Sequence, residues 1–191
     1  MRLSLLTSLI LTACLSAFAD PRPLPDNSLY QLESVWNGDD GGALHLKDLR
    51  GKTRILSMFF SHCDNICPMI TGQLKTLERE MPADLRTHVG FLLVTLDPES
   101  DDSGSLAEFR QRMDFATDSW TLLRGSADDT RELANLLGVT FMPKKNDGQI
   151  DHTGLIVILD AEGRIAEKFI GIADRKTFLE RLRRTVDSAR N

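Results

Sequence analysis

The chain has 191 residues, 41% of them hydrophobic and 27% charged, which is room for one soluble domain with an ordinary core. Its formal net charge of -5 implies no basic face and argues against nucleic acid as a partner. Three cysteines are too few for a disulfide-built scaffold.

The N-terminus opens on Met1-Arg2, continues through the apolar stretch Leu3 to Leu15, and reaches Ala17-Phe18-Ala19. A positive start, an apolar run too short to span a bilayer and small residues at a cleavage site predict a signal peptide over residues 1–19. The same segment allows a second route. "LTAC", Leu11 to Cys14, resembles a bacterial lipobox, in which the signal ends before Cys14 and the cysteine carries a lipid anchor. Either route exports the domain, to a compartment where a close cysteine pair can oxidise.

Residues 20–28, "DPRPLPDNS", read as a Pro-rich tether, and the domain spans 29–191. Leu29 to Trp36 and Ala43 to Leu46 are predicted as a short N-terminal β-hairpin about "NGDDGG". Arg54 to Phe60, "RILSMFF", is an apolar run of the kind expected for a buried central strand. The cysteine segment "SHCDNICP" follows, and a helix is predicted to start near Pro68 and run to Met81. Val89 to Leu96 is a second buried strand, ended by "DPESDDSG". A helix over Ser105 to Phe115, a strand over Trp120 to Leu123 and a helix over Asp128 to Leu137, stopped by Gly138, come next. Leu155 to Leu159 and Ile165 to Phe169 form a hairpin about "DAEG", and Asp174 caps a closing helix to Ser188. This order is that of an α/β domain with a thioredoxin-like fold, a mixed central sheet with flanking helices.

Cys63 and Cys67 stand four apart at the junction of a strand and a helix. Backbone N–H groups at a helix start favour a thiolate, which is both a better nucleophile and a metal ligand. Neighbours four apart on a regular helix are about 5–6 Å apart, too far for a disulfide, whose Cβ atoms sit about 3.8 Å apart. The pair therefore closes only across an irregular junction, and otherwise stands open around a soft metal. Two thiolates leave zinc and iron–sulfur sites short of ligands, whereas two thiolates and a histidine suit copper. Of the four histidines, His45 and His88 read as surface residues and His62 as a strand-end residue. His152, in "DHTGLIVILD", lies at the mouth of an apolar strand, open to a polar strand-end reading and to a ligand reading.

"FFSHCDNICP", "LVTLDPESD" and "DHTGLIVILDAEG" occur in that order, and over roughly Leu29 to Arg184 the chain resembles the Sco/SenC family of copper-binding proteins in cytochrome c oxidase assembly. The resemblance implies a thioredoxin-like fold and a periplasmic location, soluble or lipid-anchored. It implies copper, as Cu(I) or Cu(II), on the ligands Cys63, Cys67 and His152. Its implied partner is the oxidase subunit that carries the CuA centre, or other periplasmic copper or thiol partners. The place of the cis-proline of thioredoxin-type reductases is taken by His152-Thr153-Gly154, with Pro143 nine residues before His152. Many family members are tethered by a transmembrane helix, and here no anchor longer than the N-terminal stretch is present apart from lipidation at Cys14. A rival reading uses Cys63 and Cys67 as the redox pair of a thiol-disulfide oxidoreductase without metal delivery. Asp97, in "LDPE", reads as a turn residue or as a carboxylate facing the site.

Overall fold

Three apolar segments fix the middle of the sheet. β3 (Thr53–Phe59), β4 (Val89–Thr95) and β6 (Leu155–Leu159) are buried along almost their whole length, as strands covered on both faces must be. In the computed structural model, which describes residues 23–63, 66–142 and 150–190, they lie within a seven-stranded sheet ordered β2-β1-β5-β4-β3-β6-β7. β3, β4 and β5 (Trp120–Arg124) run parallel. β6 pairs antiparallel with β3, and β7 (Ile165–Ile170) antiparallel with β6. The N-terminal hairpin of β1 (Val35–Gly38) and β2 (Ala43–His45) adds to the far edge through β5. This is the mixed α/β sheet expected from the order of elements. The signal segment with Cys14, residues 64–65 between the cysteines, and Pro143 fall outside the described residues.

The helices follow their apolar spacing. α1 (Ile66–Glu80) buries Ile70, Leu74 and Leu77, one stripe at helical period. α4 (Ala127–Leu137) starts on a Ser126–Asp129 capping box and stops at Gly138, whose φ of 78° is the left-handed conformation glycine adopts freely. α5 (Arg175–Ser188) is capped by Asp174, as expected, and buries Phe178, Leu182 and Val186. α3 (Ser103–Met113) packs Phe109 beside Phe59 and Phe115, and Phe115 stacks on Trp120 at 3.9 Å between centroids.

The structure departs from the expected elements in three places. The strand expected from Leu29 begins only at Val35, because the Ser28 hydroxyl accepts the Tyr30 N–H at 3.0 Å and caps a 3-10 turn over Leu29–Gln31. That turn buries Tyr30. A four-residue helix, α2 (Ala83–Arg86), follows Pro82 where none was expected. Finally, α1 begins at Ile66, two residues before Pro68. Proline is tolerated there because first-turn N–H groups have no partner within the helix. Cys67 is thereby placed inside the first turn, while Cys63 precedes it.

Candidate metal centre

The end of β3 delivers Cys63. Its N–H donates to the Phe60 carbonyl at 3.3 Å, which curls the chain out of the strand. Its Sγ then accepts the N–H of Cys67 at 3.3 Å, the interaction expected of a sulfur at a helix start. Cys63 is half-buried and Cys67 is 2% exposed. Both are free thiols. The pair thus straddles the junction of loop and helix, with both sulfurs unbridged.

His152 arrives from the opposite direction. The segment before β6 is held by Phe141, which bridges to His152, by Met142, whose N–H donates to the Asp151 carbonyl at 2.9 Å, and by Thr153, whose N–H donates to the Thr140 carbonyl at 3.0 Å. The imidazole Nδ1 lies 3.2 Å from the Thr153 carbonyl and Nε2 lies 3.4 Å from Cys67 Sγ. A carbonyl oxygen only accepts, so the proton sits on Nδ1 and the Nε2 lone pair faces the sulfurs. That is the arrangement metal-binding histidines adopt. The buried Phe60 ring meets the imidazole edge-on, with centroids 6.1 Å apart. The two Sγ atoms and the imidazole nitrogen all lie within 4.8 Å of one another.

Burial sets the protonation of this cluster. It raises the Cys67 thiol far above the usual range, and the contact with Cys63 and the charge of Asp101 add to the rise. Burial also lowers His152, partly offset by the Thr153 carbonyl and by Asp151. The imidazole is therefore neutral near pH 7 and ready to ligate, whereas Cys67 holds its proton until a cation displaces it.

The other histidines lie elsewhere. His62 is exposed beside Cys63, with Nδ1 2.8 Å from the Ser61 hydroxyl, and its ring is outside the cluster. His45 and His88 are half-buried rather than at the surface. His45 Nδ1 lies 3.1 Å from the Ser34 carbonyl, which explains its burial. Asp97 sits in a turn, its carbonyl accepting the N–H groups of Ser100 and Asp101. Asp101 brings a carboxylate to the cysteine loop, where it accepts both the N–H and the hydroxyl of Ser61. Sequence reasoning missed it, because one aspartate in "DPESDD" carries no mark of burial.

Known proteins resemble this chain over most of its length. The SCO1/SenC family model matches residues 35–187. The SCO1 protein homolog of Bacillus subtilis is 24% identical over 146 residues, covering 75% of each chain. Among solved structures, a SCO1/SenC family lipoprotein from Bacillus anthracis superposes with a TM-score of 0.71 at 25% identity, covering 85% of this chain and 99% of that one. Yeast Sco1 with copper bound superposes with a TM-score of 0.69 at 26% identity, covering 81% and 87%. With the family model spanning the whole sheet and every residue of the cluster, the chain belongs to the SCO1/SenC family.

Proposed function

We propose that the chain is a copper metallochaperone that holds one copper ion on Cys63, Cys67 and His152 and serves assembly of the CuA centre of cytochrome c oxidase. The observation that carries the reading is the convergence of two sulfurs and one imidazole nitrogen within 4.8 Å. Two soft thiolates and a neutral imidazole match copper in donor type, and three ligands fall short of the four that structural zinc takes. The copper-bound relative from yeast supports the same cargo. Copper is the substrate here. The chain's own work is to keep three donors aligned and to release protons as the ion enters.

Anaerobic copper titration of the reduced protein tests the assignment. One equivalent of Cu(II) should produce intense sulfur-to-copper absorption. Cys63→Ala or Cys67→Ala should abolish it. His152→Ala should alter the spectrum and weaken binding by about tenfold or more, with His62→Ala close to the parent. Binding lost in His62→Ala and intact in His152→Ala would contradict the ligand set.

Thiol–disulfide exchange at the same pair is a second reading, favoured by one observation. Cys63 is partly accessible and accepts a helix N–H, whereas Cys67 is buried. Cys63 is the attacking thiol in this reading and Cys67 resolves the mixed disulfide. Iodoacetamide should modify Cys63 at least about tenfold faster than Cys67. Bound copper should slow both, since a ligand of the reduced form protects it. Equal rates at the two cysteines in the metal-free protein would contradict this division of roles.

Residues 1–19 support export, to the periplasm, with the domain either soluble after cleavage or lipid-anchored through Cys14. The relative from Bacillus anthracis, itself a lipoprotein, supports the second route. Intact-mass measurement of protein from the native host should give an N-terminus at Asp20 or an acylated Cys14. A chain that keeps Met1 would contradict both.

A further inference from the structure

Asp101 is wholly buried, 0% exposed, and closes on the loop that carries Cys63. Its Oδ2 accepts the Ser61 N–H at 2.9 Å and the Thr95 hydroxyl at 2.5 Å, and its Oδ1 accepts the Ser61 hydroxyl at 2.5 Å. The Thr95 oxygen already accepts the Asp97 N–H at 3.0 Å, so its own proton is directed at the carboxylate. Oδ2 with two donors on it carries no proton, Oδ1 takes the third donor from the Ser61 hydroxyl, and accepting from all three is the pattern of an ionised carboxylate.

Among the described residues no guanidinium pairs with this carboxylate. Arg112 donates to the Ser61 carbonyl at 2.8 Å and lies over the Phe109 ring. The ion-pair partner Asp101 has among the described residues is His62, whose Nδ1 is 3.7 Å away on a ring 69% exposed. Ser61 is consequently locked at its N–H, hydroxyl and carbonyl, two residues before Cys63. The charge lies close to the cluster, since the Ser61 N–H that it accepts at 2.9 Å is only two residues before Cys63.

We propose that the buried charge of Asp101 biases copper held by Cys63, Cys67 and His152 toward Cu(II) over Cu(I). The inference rests on the ligand set proposed above. Two thiolates, a neutral imidazole and Cu(II) form a centre of zero net charge, and the same ligands with Cu(I) carry one negative charge. Reduction therefore adds a negative charge near a carboxylate that water cannot screen. The repulsion acts against Cu(I) alone. Asp101 does not touch the metal in this account; it positions the loop through Ser61 and sets the preferred oxidation state through its charge.

Spectroelectrochemical titration of the copper-loaded protein reads this out. One electron passes from the electrode to copper, with no bond made or broken. Asp101→Asn keeps the shape and removes the charge. It should raise the Cu(I) to Cu(II) ratio at a given potential roughly tenfold, a midpoint about 59 mV higher for a one-electron couple. Ser61→Ala and Thr95→Val each remove one hydroxyl donor and leave the charge less compensated. Each should move the midpoint in the opposite direction, downward, and they carry the test if Asp101→Asn does not fold. A loop merely loosened would shift all three variants the same way. That result, or an unchanged midpoint in Asp101→Asn, or an upward shift in Thr95→Val, would overturn the inference. Absence of sulfur-to-copper absorption in the unsubstituted protein would instead overturn the ligand set, and this inference with it.

Discussion

The antiparallel pairing of β6 with β3 is the constraint on which the site depends. β3 runs toward the cysteine loop, so a neighbour running the other way must begin where β3 ends. The pairs Ser57 with Ile156 and Leu56 with Val157 fix the register, and the Ser57 hydroxyl donates to the Leu155 carbonyl at 2.8 Å within the core. His152, three residues before β6, is thereby set beside Cys67. A slip of one residue would turn the buried side chains of β6 to the opposite face and carry the imidazole away from the sulfurs. Because β6 is apolar along its full length and covered on both faces, the pairing is held by the core itself. The proposed ligands are at the rim of a rigid sheet, as an accurate metal site requires.

Burial then divides the work among three side chains that have the donors but different surroundings. Cys63 is partly accessible, at a helix start. Cys67 is desolvated and holds its proton. His152 is held neutral by burial and oriented by the Thr153 carbonyl. In the proposed role this arrangement takes up a soft cation with release of protons and, without metal, leaves the partly accessible Cys63 thiol for exchange. Metal binding and thiol chemistry are alternatives drawn from the same sulfurs. This fits a protein that must bind copper and also give it up.

Much of this was legible in the amino-acid sequence. Apolar runs such as "RILSMFF" and "LIVIL" announce strands covered on both faces, and they are the centre of the sheet. The stripe Ile70, Leu74, Leu77 announces α1. Cys63 and Cys67 stood out by spacing, but His152 stood out only by its place at a strand mouth and by family resemblance, since its partner lies 85 residues earlier. Local capping was harder to read. The Ser28 cap that replaces the start of the first strand depends on Glu162, a residue distant in sequence whose carbonyl accepts the Ser28 hydroxyl at 2.5 Å. Asp101 was illegible for a related reason. An acidic residue in a turn is normally solvated, and its burial follows from donors on two other segments, Ser61 and Thr95.

The central claim is that two sulfurs and one imidazole nitrogen, brought together by the β3–β6 pairing, bind a single copper ion. X-ray absorption at the copper edge of the loaded protein tests it most directly. Two sulfur scatterers and one histidine nitrogen per copper, with the histidine contribution lost in His152→Ala, is the predicted result. A coordination sphere of nitrogen and oxygen alone, or one unchanged by His152→Ala, would contradict the account.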